Sequence, residues 1–135
     1  MRLCLMLPVA AAFVLGAVAV QPVPAAAQTA PVAAKTQVPL ISAAELKALM
    51  KAKKPFFLVD VREPAEFSAG HIPGAVLMPL DTLPQTYKRI PKGGKLVVNC
   101  RSGVRSAQAV RFLLDHGYKH AVSLDGGYLA WSAAH

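Results

Sequence analysis

Cysteine, tryptophan and acidic side chains are scarce in this sequence of 135 residues. There are two cysteines and one tryptophan, and seven acidic residues stand against fifteen lysines and arginines, for a formal net charge of +8. That balance favours anionic partners. Nucleic acid is not expected among them, because the basic residues are not interleaved with aromatic side chains that stack on bases.

The first 27 residues have the pattern of a cleavable secretory signal peptide. A positive start precedes the apolar residues 3–20, and residues 24–27 supply an A-x-A cleavage site before Gln28. An uncleaved membrane anchor is the alternative, since about 18 apolar residues nearly span a bilayer. Pro8 and the cleavage site favour removal, so no stable membrane insertion is expected after cleavage. We therefore expect an exported protein, located in the periplasm of a bacterium.

The remaining chain has the length of one domain with an apolar core. Residues 28–37 are rich in alanine and predict a flexible lead-in, and residues 38–135 form the predicted domain. Cleavage would also remove Cys4, which leaves Cys100 as the sole thiol and excludes an internal disulfide. In an oxidising compartment, a lone cysteine is retained for reactivity more readily than for structure.

Short apolar runs alternate with helical patterns throughout the predicted domain. The runs lie at residues 38–41, 56–61, 75–78, 95–99 and 121–124. This alternation predicts an α/β domain with a mostly parallel sheet. In such folds ligands bind beyond the carboxyl ends of the strands. Cys100 falls at one of those ends.

Cys100 also stands directly before a predicted helix. The helical pattern starts near Val104 and ends at Gly117, a good stop signal. The first N–H groups of a helix have no partner within the helix, and they stabilise an anion in the preceding loop. The sequence therefore places the thiol where a negative charge is favoured.

Two arginines next to the thiol strengthen this prediction. Lowering a cysteine pKa from about 8.5 to about 6.5 requires about 2.7 kcal/mol. A helix end contributes up to about 2 kcal/mol, and Arg101 and Arg105 are expected to supply the rest. A buried cysteine that acts as a small hydrophobe is the alternative. The arginines and Gly103 favour a thiol that is ionised at neutral pH.

Residues 100–106 read C-R-S-G-V-R-S and resemble the active-site loop of rhodanese domains, the sulfurtransferases that carry a persulfide on cysteine. Residues 60–67 and 70–75, D-V-R-E-P-A-E-F and G-H-I-P-G-A, are similar to the amino-terminal signature of that family. Together with the carboxyl-terminal segment described next, they form three motifs in the order of the family, and three ordered motifs are far more specific than one.

A fourth segment is similar to the carboxyl-terminal signature of the same family. Residues 124–131 read L-D-G-G-Y-L-A-W, in which Tyr128 and Ala130 depart from the more usual tryptophan and glutamate. These departures affect packing more than chemistry. The whole resemblance covers about residues 38–134.

The resemblance implies a rhodanese-like fold with five central strands and helices on both faces, thiosulfate sulfurtransferase activity, and no metal or organic cofactor. Cys100 would take a sulfane sulfur from thiosulfate or a similar small anionic donor, and would pass it to cyanide or a thiol acceptor. Arg101 and Arg105 would hold the donor. The persulfide would be cradled by the loop residues Ser102, Gly103, Val104 and Ser106. No protein partner can be named from these residues.

Three polar residues of the amino-terminal signature are expected to support the site. Asp60 and Arg62 are predicted to pair and to brace the loop from behind rather than to touch substrate. His71 is a candidate acid or base, but a structural hydrogen bond within the turn that follows is favoured.

Two other functions remain open at this stage. Cysteine phosphatases and arsenate reductases resemble C-x5-R, which spans seven residues, whereas Cys100 to Arg105 spans six. The shorter ring of amides leaves less room for a tetrahedral oxyanion. A non-catalytic persulfide carrier or binding module is the alternative to an enzyme, because a fold does not determine function.

Overall fold

The computed structural model describes residues 37–134. The predicted signal peptide and the predicted lead-in up to residue 36 lie outside the described residues. Within the described part of the chain, every helix is too short or too polar to cross a membrane.

Five parallel strands form one sheet at the centre of the domain. They are β1 (Leu40–Ile41), β2 (Phe57–Asp60), β3 (Val76–Leu77), β4 (Leu96–Asn99) and β5 (Ala121–Leu124). Their order in the sheet is β1-β5-β4-β2-β3, and all four pairings are parallel. The predicted five-stranded α/β fold is thereby confirmed. The order places β4, the strand before Cys100, in the middle of the sheet.

Four helices connect these strands, and a fifth follows the last one. They are α1 (Ala43–Lys51), α2 (Pro64–Ala69), α3 (Leu83–Thr86), α4 (Val104–Asp115) and α5 (Gly127–Ala133). Ser42 and Glu45 cap α1 reciprocally, because each side chain accepts a hydrogen bond from the other backbone N–H. This capping box is visible in the sequence. Short 3-10 turns flank α3, and none of these turns was predicted.

The two faces of the sheet bury separate apolar clusters. Val98 of β4 packs with Val110 and Leu113 of α4, whereas Val97 packs on the opposite face with Trp131 of α5. Successive side chains of a strand point to opposite faces. Cys100 follows Val98 by two residues and belongs to the α4 cluster. The strand therefore delivers its thiol to the same side as the helix that follows.

Candidate active site

Cys100 lies in a tight loop between β4 and α4. The residue is only 1% exposed. Its Sγ accepts a hydrogen bond from the Gly103 N–H at 3.0 Å and lies 3.5 Å from the Ser106 Oγ. Gly103 has φ of +105°, a conformation that glycine adopts without steric cost. That geometry turns the loop back over the sulfur.

Burial and the hydrogen bonds of the loop act on the pKa of the thiol in opposite directions. Burial is the largest influence, and by itself it raises the pKa of Cys100. The Ser106 hydroxyl and the backbone N–H groups of Ser106, Gly103 and Ser102 act in the opposite direction, and the net pKa is lowered. The expected guanidinium charges are not among the largest contributions. The largest influences that lower this pKa are amide and hydroxyl donors, and a Coulombic interaction between Arg105 and the Cys100 sulfur adds to the raised pKa of Arg105.

Arg105 is held by a carboxylate. Its Nη1 and Nη2 donate to the two oxygens of Glu66 in α2 at 2.8 and 2.9 Å. The hydrogen bonds from Arg105 lower the pKa of Glu66 to about 2, and those same bonds raise the pKa of Arg105. Glu66 was not predicted as a site residue. Its sequence signals are its place in the amino-terminal signature and in the first turn of a short helix.

Arg101 faces outward from the loop. It is exposed and lines a shallow cavity of about 240 Å³ together with Arg62, Glu66 and Tyr128. Among residues 37–134 it forms no ion pair. Of the two arginines expected to bind a donor, Arg101 is therefore the one that is not held in an ion pair within the described residues.

The four loop residues expected to cradle a persulfide differ in placement. Gly103 and Ser106 both contact the sulfur, through the Gly103 N–H and the Ser106 hydroxyl. Ser102 is exposed, and its contribution comes from its backbone N–H. Val104 is 65% exposed, so its side chain lies at the surface rather than against the sulfur.

Asp60 and Arg62 form a buried ion pair. The guanidinium of Arg62 donates from Nε and Nη2 to the Asp60 carboxylate at 2.8 to 3.0 Å. It also donates to the Gly70 carbonyl at 2.7 Å and lies 4.4 Å from the centre of the Tyr128 ring. The pair thus connects the end of β2 to the end of α2 and to α5.

His71 makes local contacts in the turn after α2. Its Nδ1–H donates to the Phe67 carbonyl at 2.9 Å, and its ring stacks on the Phe67 ring at 3.8 Å. The residue is exposed. Both interactions are those of a residue that orders a helix end.

The first residues of α5 donate hydrogen bonds to the backbone of the cysteine loop. The sequence analysis did not predict this contact. The N–H groups of Tyr128 and Leu129 donate to the carbonyls of Cys100 and Arg101 at 2.7 and 3.1 Å. Gly127 passes so close that a Cβ there would lie 2.5 Å from the Cys100 carbonyl oxygen. The second glycine of the G-G pair is the signal for this close approach.

Ser123 of β5 also belongs to the site, and the sequence analysis did not predict it. It is fully buried, and its Oγ lies 2.8 Å from the Ser106 Oγ. A hydroxyl within an otherwise apolar strand is its only sequence signal. No group of three or more histidine, cysteine or acidic side chains within residues 37–134 is placed to hold a metal.

An α/β domain whose parallel sheet ends in a loop of N–H donors around one thiol is a reactive-cysteine domain. The model of the rhodanese-like domain family matches residues 42–134. The chain belongs to the rhodanese-like domain family.

Curated relatives and solved structures agree with this assignment. A sulfurtransferase of Allochromatium vinosum is 44% identical over 75 residues, which cover 56% of this chain and 70% of the relative. The thiosulfate sulfurtransferase GlpE of Tolumonas auensis is 38% identical over 74 residues, which cover 55% of this chain and 70% of the relative. A rhodanese-like domain protein of Staphylococcus aureus superposes with a TM-score of 0.66 at 38% identity, covering 70% of this chain and 91% of that one. Sulfurtransferases among its relatives support sulfur transfer as the general activity of this domain.

Proposed function

We propose that this protein is a periplasmic thiosulfate sulfurtransferase that works through a persulfide on Cys100. The Cys100 thiolate attacks the sulfane sulfur of thiosulfate, the S–S bond of thiosulfate breaks, and sulfite leaves with the bonding electron pair. The enzyme then carries a Cys100 persulfide anion. Cyanide or a thiolate attacks the outer sulfur of that persulfide, and the Cys100 thiolate is released.

The observation that carries this proposal is the ring of donors around a single sulfur. The Gly103 N–H at 3.0 Å and the Ser106 hydroxyl at 3.5 Å contact Sγ, and the pKa of Cys100 is lowered in spite of burial. In the persulfide the negative charge lies on the outer sulfur, one bond beyond Sγ, and the N–H groups of the loop are expected to stabilise it there. Arg101 supplies the unbalanced positive charge for a small anionic donor.

The covalent step is tested by intact mass measurement. The purified protein is incubated with thiosulfate, and the expected product is heavier by about 32 Da, the mass of one sulfur. Addition of cyanide should remove that mass and release thiocyanate. Cys100→Ser should show neither product, whereas Ser132→Ala, which removes an exposed hydroxyl from α5, should behave like the wild type.

The outcomes separate the three candidate functions. Absence of both the adduct and thiocyanate would reject sulfur transfer from thiosulfate. Rapid loading with negligible transfer to cyanide or small thiols would indicate a persulfide carrier. Hydrolysis of an aryl phosphate that is lost in Cys100→Ser would indicate a phosphatase instead.

Export is tested separately from chemistry. The proposed signal peptide comprises residues 1–27, so the mature chain is expected to begin at Gln28. The full chain is expressed in a bacterium and the periplasm is extracted. Amino-terminal sequencing of the extracted protein then shows whether the chain begins at Gln28. A chain that keeps residue 1 and stays with the membrane would support the anchor instead.

A further inference from the structure

Two buried hydroxyl groups lie behind the Cys100 sulfur in a row of short contacts. The Ser106 Oγ is 3.5 Å from the Cys100 Sγ and 2.8 Å from the Ser123 Oγ. Ser106 belongs to the first turn of α4 and Ser123 to β5, and neither residue has exposed surface. Because bulk water has no access to these hydroxyls, their protons depend on acceptors within the protein.

Counting donors and acceptors shows which of the two serines donates the hydrogen bond between them. Among residues 37–134, the Ser123 hydroxyl has one hydrogen-bond partner, the Ser106 Oγ. Ser106 has two further neighbours, the sulfur and the Gly103 carbonyl oxygen at 3.1 Å. If Ser106 donated to Ser123, the Ser123 proton would be buried without an acceptor, which is unfavourable. Ser123 therefore donates, and the Ser106 proton is available to the carbonyl or to the sulfur.

We propose that Ser123 is a positioning residue that directs the Ser106 proton to the Cys100 sulfur whenever this sulfur is an anion. With a neutral thiol, Sγ–H donates to the Ser106 Oγ and Ser106 donates to the Gly103 carbonyl. When the sulfur carries a negative charge, the Ser106 O–H rotates to Sγ, while the bond from Ser123 holds the Ser106 oxygen in place. Only hydrogen bonds change in this rearrangement. The inference rests on the proposed function in one respect, the use of Cys100 as the sulfur carrier.

The charged groups around the site do not depend on Ser123. Arg105 projects from α4 and is paired with Glu66 of α2, and Arg101 projects from the loop. The Gly103 N–H donates to the sulfur from the backbone. Since none of these groups is bonded to the Ser123 hydroxyl, removal of that hydroxyl isolates the effect of the serine pair.

The test measures the pH dependence of Cys100 alkylation by iodoacetamide without any sulfur donor. Cys100 is followed by peptide mass spectrometry, so Cys4 does not contribute. Ser123→Ala is expected to move the thiol titration to higher pH and to lower the alkylation rate below the titration midpoint by about three- to tenfold, the size of one hydrogen bond. Ser132→Ala, which removes an exposed hydroxyl from α5, serves as the matched control and should change nothing.

Two further comparisons distinguish positioning from a structural role. Ser123→Thr should titrate like the wild type and Ser123→Val like Ser123→Ala, because threonine and valine differ in one hydroxyl. In a Ser106→Ala background, loss of the Ser123 hydroxyl should have no further effect. An unchanged or lowered titration in Ser123→Ala, equal titrations of the threonine and valine variants, or additive effects of the two serines would overturn the proposal. Since the alkylation test uses no sulfur donor, a failure of this proposal is distinct from a failure of sulfur transfer.

Discussion

Arg105 of α4 and Glu66 of α2 form a two-bond ion pair that joins the cysteine loop to the amino-terminal signature. The two N–O distances are 2.8 and 2.9 Å, and the side chains are 32% and 26% exposed. The residues are far apart in the chain but meet at the rim of the site. Of the two arginines of the loop, Arg105 is thus paired with a carboxylate, whereas Arg101 forms no ion pair within the described part of the chain.

This ion pair predicts a loss of stability in acid. The folded pKa of Glu66 is about 2, below its ordinary value of 4.5, so the pair contributes fully above about pH 4.5. The contribution is lost as the pH falls from about 4.5 to about 2. Because both side chains are partly exposed, the expected contribution is about 1 kcal/mol or less.

Urea unfolding of Glu66→Gln between pH 2 and pH 7 measures this effect. The wild type should be more stable than the variant at pH 7, and the difference should disappear near pH 2. Asp81→Asn removes an exposed carboxylate that forms no ion pair within residues 37–134 and should show no such trend. A difference that is independent of pH would mean that Glu66 stabilises the fold by packing rather than by its charge.

The unequal surroundings of the two arginines predict unequal effects on donor binding. Arg101→Gln should raise the KM for thiosulfate by about tenfold, the size of one charge-assisted hydrogen bond, with a smaller effect on kcat. The double variant Glu66→Gln/Arg105→Gln removes a neutral pair and should change that KM by less than about threefold. Steady-state thiocyanate formation gives both values.

Arg89→Gln is the charge-matched control for Arg101. Arg89 is exposed in the 3-10 turn after α3, and its loss lowers the net charge by the same amount. It should leave KM unchanged. An equal rise in KM for the Arg89 and Arg101 variants would mean that net charge, rather than a contact at the loop, attracts the donor.

The buried pair of Asp60 and Arg62 predicts a large stability effect. Asp60→Ala leaves the Arg62 guanidinium buried without its carboxylate and should lower the unfolding free energy by about 3–5 kcal/mol. Asp60→Ala/Arg62→Met should be less destabilised than Asp60→Ala, since no charge is then stranded. Urea unfolding at pH 7 compares them. A loss below about 1 kcal/mol for Asp60→Ala would show that water reaches the Arg62 charge.

The sheet and the position of the thiol could be predicted because their signals are local. An apolar run followed by Cys100, the Gly103 turn and a helical pattern occupies consecutive residues, and the capping box of Ser42 and Glu45 spans four. Such signals need no knowledge of the strand order.

The residues that complete the site could not be predicted, because they come from distant elements. Glu66 reaches Arg105, and Ser123 reaches Ser106, only because the strand order places β5 and β2 on either side of β4. Hydrophobic periodicity does not specify that order. This is also why the sequence does not reveal that Arg105, a neighbour of Cys100 in the chain, is paired with Glu66.

The contact between α5 and the loop predicts that Gly127 is required for both stability and activity. Gly127 has φ of +58°, and a Cβ at this position would lie 2.5 Å from the Cys100 carbonyl oxygen and 2.6 Å from the Arg101 carbonyl oxygen. Gly127→Ala must therefore push the loop away from α5, which weakens the bonds from Tyr128 and Leu129 to the loop. We expect a loss of about 2–4 kcal/mol in unfolding free energy and at least a tenfold lower kcat/KM for sulfur transfer in the folded fraction.

Gly74→Ala separates the steric contact from the backbone strain. Gly74 also has a positive φ, +82°, but a Cβ there would meet no atom within 4 Å. It should therefore show only the cost of the left-handed conformation, about 1 kcal/mol, with normal sulfur transfer. If the two variants lose the same stability and both keep full activity, then α5 does not hold the cysteine loop in its working shape, and the loop closes over the sulfur by its own hydrogen bonds alone.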